Sequence, residues 1–287
     1  MSVFLNTRAL SGGGGVAAQV SVCTANVSGA TPMSLDALKG FIYGKDVLIA
    51  THGFNVNQAA GIQCLSAWEP LLLLPPTAVF VGLLWPGDSD SVYALSYPVE
   101  PRNAMDAGTM AGQFVDAKFG NAASISFAAH SLGARVALQA VTTMSRQVRR
   151  LMVMAGAISD DCLTNEFASV PGKVDSISLL ASLEDTVLQW AFPIGDFVAE
   201  IVGKDHPWWQ SALGRYGPKT PPAHFQPPYQ IPSPWNYGHL NYLQTDPPAQ
   251  APIPSQPPPA ISGSVPRGGA QGWQQAWSAA FVASRFA

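Results

Sequence analysis

The sequence predicts an α/β fold, a mostly parallel β-sheet with helices on both faces. Three observations carry that prediction. Short, continuously apolar runs at 46–50, 78–84, 125–129, 151–157 and 175–181 alternate with segments of helical spacing. A strand covered on both faces reads as an unbroken apolar run, and alternation with helices is what crossovers between parallel strands require. Second, 287 residues are enough to bury a large core, and a composition 47% hydrophobic and 11% charged, against about 25% charged in ordinary soluble domains, argues for an apolar surface somewhere rather than disorder. Third, His52, Trp85, Ser131, Asp160 and Asp185 all fall directly after one of the runs. Sheets of this kind bind ligands at the carboxyl ends of their strands.

Taken in order, residues 16–22 read as a strand between glycine-rich flanks. Residues 33–40 read as a short helix, capped by Thr31 or Ser34 and stopped by Gly40. The strand at 46–50 runs into Thr51-His52-Gly53-Phe54-Asn55, and 58–68 is helical. The strand at 78–84 ends in Trp85-Pro86-Gly87-Asp88, and a helix follows at 103–118. After the strand at 125–129 comes a turn, His130-Ser131-Leu132-Gly133, and then a helix from Ala134 to about Arg150. Its cationic end would be Arg146, Arg149 and Arg150, favourable against the helix dipole. Strands at 151–157 and 175–181 close the regular pattern.

Residues 186–235 are looser. An apolar stretch at 187–202 suggests one or two helices broken at Pro193, followed by His206-Pro207-Trp208-Trp209 and a proline-rich run. It reads either as a surface excursion or as a cap over the strand ends. Residues 247–267 form a proline-rich linker. In 271–286, Trp273, Trp277 and Phe281 share one helical face, which docks on the body or else meets a partner or a lipid surface, the last disfavoured by the lack of a Lys/Arg-rich polar face. The expected division is a body at 1–246, with 186–235 as its candidate cap, and a linker with C-terminal helix at 247–287.

A formal charge of −3 without a basic stripe leaves no electrostatic footprint for nucleic acid. Cys23, Cys64 and Cys162 match no metal pattern and dictate no disulfide framework. No leader-like start and no bilayer-length apolar segment are evident, which makes cytoplasmic the default expectation. Oligomeric state is not encoded in any pattern here.

The chemistry centres on Ala129-His130-Ser131-Leu132-Gly133. A serine in a sharp strand-to-helix turn has its hydroxyl pushed out of the sheet, and the usual form G-x-S-x-G keeps the flanks small. Here alanine stands at the first glycine position. Such a serine needs a base, an orienting acid and oxyanion donors. The donors expected are the backbone N–H of Leu132 and that of Phe54, in a loop where Gly53 permits close approach. With the acid following the nucleophile and the histidine last, Asp185 is the leading acid, ahead of Asp160 and Asp161. His239 leads as base, ahead of His224 and His206. Trp85, Trp190, Phe192, Trp208 and Trp209 are candidates for an apolar substrate lining or, equally, for core packing.

In order along the chain, His52-Gly53-Phe54-Asn55, the strand ending in Trp85-Pro86-Gly87, the elbow at 129–133, Leu179-Leu180-Ala181-Ser182-Leu183-Glu184-Asp185 and Gly238-His239 resemble the signatures of bacterial α/β-hydrolases with an HGFN oxyanion loop. These are serine hydrolases of the esterase/lipase superfamily. The resemblance spans roughly residues 45 to 243. It implies the α/β-hydrolase fold, Ser131, Asp185 and His239 as a triad, no metal or organic cofactor, and a small-molecule ester with hydrophobic parts as substrate. A thioesterase or amidase would use the same residues. The rival from another class is a non-catalytic binding protein on the same scaffold.

Overall fold

The apolar runs become the central strands of one sheet. The computed structural model describes residues 1–9, 15–26, 29–88, 100–190, 211–227, 229–243 and 273–287. The strands are β1 (Ser2–Arg8), β2 (Val16–Asn26), β3 (Gly29–Pro32), β4 (Asp46–Thr51), β5 (Ala78–Leu84), β6 (Ser124–His130), β7 (Val148–Met154), β8 (Val174–Ser182) and β9 (Tyr229–Ile231). The helices are α1 (Leu35–Ile42), α2 (Gln58–Trp68), α3 (Glu100–Lys118), α4 (Gly133–Thr143), α5 (Thr186–Trp190), α6 (Leu213–Tyr216) and α7 (Trp273–Phe286). Strand order is β3-β2-β1-β5-β4-β6-β7-β8-β9. Only β2 opposes its neighbours, and every pairing from β1 through β5 to β9 is parallel.

This order places the point of function. From β4 the chain crosses to β5 on one side, then returns to β6 on the other, so the loops leaving β4 and β6 diverge. A crevice opens where neighbouring strands send their connections in opposite directions. The loop after β4 carries His52 to Asn57 and the turn after β6 carries Ser131.

Each sheet face has its own hydrophobic layer. Leu38 and Ile42 of α1, Ala107, Ala111 and Val115 of α3, and Val136, Leu138 and Val141 of α4 cover one face. Ile62, Leu65 and Trp68 of α2, with Trp277, Phe281, Val282 and Phe286 of α7, cover the other. The C-terminal helix thus completes a layer of the body. Ser34 caps α1, its Oγ accepting from the Ala37 N–H at 3.1 Å, and Asn57 caps α2, its Oδ1 accepting from the Ala60 N–H at 2.9 Å. Each cap satisfies an amide at the helix start that has no partner within the helix.

Several expectations are corrected. Gly40 does not stop α1, which continues to the buried Ile42 and turns at Gly44, where φ is 64°. The helix after Ser131 ends at Thr143 rather than near Arg150. There the Asp116 carboxylate accepts from the Ser145 N–H at 2.6 Å and the Arg146 N–H at 3.4 Å, so the chain leaves helical geometry. Arg149 and Arg150 belong to β7, and their guanidinium groups donate to the carbonyls of Ala287 and Arg285 at the end of α7, at 2.7 and 3.2 Å. They cap a helix C-terminus, but a distant one. β1, β3 and β9 are additional strands. The segment 211–235 is not a free excursion: Leu213 and Gly214 N–H groups donate to Ile158 and Gly156 carbonyls at 2.8 and 2.9 Å, and β9 extends the sheet beside β8. Residues 191–210 and the linker at 247–267 lie outside the described residues. No described helix is long and apolar enough to cross a membrane.

Trp277, fully buried in the second layer, provides a test. Trp277→Ala is expected to cost about 3–5 kcal/mol, the usual range for emptying a large aromatic from a core. Urea denaturation of both proteins measures it, and an unchanged midpoint would show that α7 is dispensable to the body.

Candidate active site

β6 ends at His130, and the next residue, Ser131, has φ 56°. A left-handed conformation costs a residue with a side chain roughly 1–3 kcal/mol, so it persists only if its surroundings impose it. They do so through the backbone. The Ser131 N–H donates to Met154 O at 3.0 Å, and its carbonyl accepts from the Ala134 and Ala157 N–H groups at 3.0 and 3.1 Å. The need for small residues falls at two glycines. A Cβ on Gly133 would collide with the His52 carbonyl, and one on Gly53 would sit 2.7 Å from the Ser131 Cβ. Ala129 is fully buried in the sheet opposite Thr51 and Val153. Its methyl group is accommodated there because the tight approaches lie elsewhere.

His239 opens a one-turn 3-10 helix, 239–241, after Gly238. Its Nε2 lies 2.7 Å from Ser131 Oγ, and its Nδ1 lies 2.7 Å from Asp185 Oδ2. A carboxylate only accepts, so Nδ1 carries the proton and Nε2 is left to accept from the serine hydroxyl. Asp185 is fully buried, and its carboxylate is shared. Oδ1 takes the Leu188 N–H at 2.9 Å, capping α5, which leaves Oδ2 for the imidazole. The Asp185 carbonyl accepts from Arg215 Nη1 at 2.7 Å. Both carboxylate oxygens thus have a hydrogen-bond partner, without which burial of the group would be costly.

The alternatives fall elsewhere. Asp161 accepts from the Ser159 hydroxyl at 2.6 Å in a turn, and Asp160 has its backbone tied to Ser211 and Lys219. His224 is an exposed residue at φ 62° whose carbonyl accepts from the Ile177 N–H. His206, Phe192, Trp208 and Trp209 lie outside the described residues, as does the Trp190 side chain. Of the two expected oxyanion donors, Leu132 stands at the start of α4, and Phe54 lies in the loop whose Gly53 packs on the serine.

Of the two places expected for Trp85, a substrate lining or the core, it takes the core. It is fully buried, its ring stacks on His52 at 5.8 Å between centroids, and its Nε1–H donates to the His52 carbonyl at 2.9 Å. It supports the Gly53 loop from beneath. Arg8, at the end of β1, ties the same region together. It donates to the Trp85 carbonyl at 2.9 Å and pairs with Asp88, while the Asn55 N–H donates to Gly87 O at 2.7 Å. Nothing in the local sequence around Arg8 marked it. By sequence His130 is simply a member of the turn, yet its Nε2 donates to the His239 carbonyl at 2.8 Å. Among the described residues, no group of three or more His, Cys, Asp or Glu side chains is placed to hold a metal.

His52 and His130 stay neutral in the folded protein. Burial lowers His52 to about 4; burial, and then the nearby charge of His239 when protonated, lowers His130 to about 3. The unfolded chain protonates histidine near pH 6.5. Above that value neither titration affects stability. As pH falls below it, the unfolded chain takes up protons that the folded one refuses, and each histidine costs about 1.4 kcal/mol per pH unit until its folded value is reached. Unfolding free energies from pH 7 to 4.5 should therefore fall steeply, and His130→Gln should flatten the slope by about one proton. An equal slope in the variant would contradict a buried neutral His130.

A family model described as alpha/beta hydrolase of unknown function (DUF900) matches residues 38–209. The matched region includes Ser131 and Asp185 and stops before His239. Among solved structures, carboxyl esterase 2 from the mycorrhizal fungus Tuber melanosporum is similar at 11% identity and a TM-score of 0.36, covering 64% of this chain and 67% of that one. No curated protein matches. By the extent of the family match, the chain belongs to the DUF900 family of alpha/beta hydrolases.

Proposed function

We propose that the protein hydrolyses carboxylic esters with hydrophobic parts through an acyl-enzyme on Ser131. The observation that carries this reading is the unbroken relay from Ser131 Oγ to His239 Nε2 and from His239 Nδ1 to Asp185 Oδ2, each step 2.7 Å. His239 takes the serine proton as Oγ attacks the ester carbonyl. The oxyanion is held by the N–H groups of Leu132 and Phe54, each such donor typically worth roughly 3–4 kcal/mol of barrier. Collapse expels the alcohol, which receives the proton from His239. Water, deprotonated by the same imidazole, then releases the acid and restores the serine. Asp185 keeps the imidazole in its productive tautomer and stabilises the imidazolium.

Thioesters and amides would pass through the same steps, and matched ester, thioester and anilide substrates rank them; the ester is expected to react fastest. Ser131→Ala should lower kcat on p-nitrophenyl butyrate by at least about 10⁴-fold and abolish labelling by a fluorophosphonate probe. Parental turnover in that variant would end the assignment, and a wild-type protein inert to the probe would favour a non-catalytic binding role. Asp185→Asn should cost about 10⁴-fold in kcat, because an amide at that position favours the wrong imidazole tautomer. A loss under tenfold there would mean that another group orients His239.

A further inference from the structure

His239 sits in a segment with little regular structure of its own: the three-residue β9, then one-turn 3-10 helices at 233–235 and 239–241. Backbone ladders do not hold such a segment, so its position depends on side-chain ties. His130 holds the His239 carbonyl from the serine side, and from the opposite side several ties meet at one residue of α7. Gln274 is buried, 4% exposed, and its Oε1 accepts from Asn241 Nδ2 at 2.9 Å. Asn241 in turn accepts the Gly238 N–H on Oδ1 at 2.6 Å. Gln274 Nε2 donates to the Trp235 carbonyl at 3.5 Å, and the Gln274 carbonyl accepts from the Tyr237 hydroxyl. One turn along the same helix, Ser278 Oγ donates to the Tyr242 carbonyl at 2.9 Å.

We propose that Gln274 is a positioning residue for His239, so that the C-terminal helix sets the geometry of the catalytic base as well as completing the core. Trp235, Tyr237 and Asn241 bracket His239 on both sides, and Gln274 bonds to all three. Asn241 links it to Gly238, whose peptide unit leads directly into the histidine. Loss of this link leaves the triad residues in place but frees the imidazole to drift from the serine. A misplacement of about 1 Å can cost up to about a hundredfold in rate. The inference rests on the hydrolase reading above.

The test uses the full chain. Gln274→Met keeps length and packing and removes every side-chain hydrogen bond; Asn241→Ala breaks the same link from the half-buried side. Kinetics on p-nitrophenyl butyrate are measured at a temperature where circular dichroism shows each variant fully folded. Both variants should lose about tenfold or more in kcat with KM held within about twofold, since the base and not the pocket is disturbed. The double variant should lose clearly less than the product of the two single losses, because both changes break the same Gln274–Asn241 bond. Parental kcat in either folded variant, or losses that multiply in the double variant, would overturn the inference. If Gln274→Met does not fold, Asn241→Ala alone decides it. A wild-type protein that a fluorophosphonate probe fails to label at Ser131 overturns the hydrolase reading and this inference together. Labelling of wild type and variants at one rate overturns only the inference.

Discussion

The structure depends on one junction, where a strained serine backbone meets an imidazole 108 residues further along the chain. Ser131 is held in a left-handed turn by hydrogen bonds to the strand beside it and to the helix that follows. The bonds to Met154 and Ala157 exist only because β6 lies beside β7. The sheet order therefore supplies the strain, and the strain lifts the hydroxyl toward the crevice. The other half of the junction is the His239–Asp185 pair, which spans 54 residues. Asp185 is available to it because the Leu188 amide occupies one carboxylate oxygen and leaves the other. A helix cap and a charge partner share one side chain.

Around this junction the supports are arranged in layers. Below the Gly53 loop, Trp85 and His52 form a stacked, buried floor, and Arg8 ties that floor to β1. Between the serine turn and the histidine loop lies His130, whose ring donates to the His239 carbonyl and packs 5.5 Å from Tyr242. Neutral rings suit these places, because a protonated imidazole there would be a buried charge without a counter-ion. Behind the histidine loop stands α7. Elements remote in sequence thus fix three loops against one another, which is what precise catalytic geometry requires.

Much of this was legible in the sequence where the physics is local. β4, β5, β6 and β8 begin and end within two residues of the apolar runs, because a strand covered on both faces admits nothing else. Ser131 and Asp185 stand out by residue type and by position after strands, His239 by chain order and its glycine loop, and the fold brings the three side chains together. Long-range causes were not legible. β1 has only Val3-Phe4-Leu5 as an apolar run before Asn6-Thr7-Arg8, and β9 lies between prolines; pairing with a neighbour, not composition, makes them strands. The end of α4 is decided by Asp116 from another helix. Trp85 offered an aromatic close to the Gly53 loop, and sequence could not separate lining from floor. Nothing in the sequence near Gln274 marks it, since its partners lie across a proline-rich interval.

The central claim is that the Nδ1 proton of His239 is bound to Asp185 while Nε2 faces Ser131. A proton NMR spectrum at low temperature reads this directly. A strongly downfield imidazole N–H resonance is expected in the wild-type protein, absent in His239→Gln and shifted in Asp185→Asn. A spectrum that lacks the resonance, or one in which it survives His239→Gln, would contradict the arrangement.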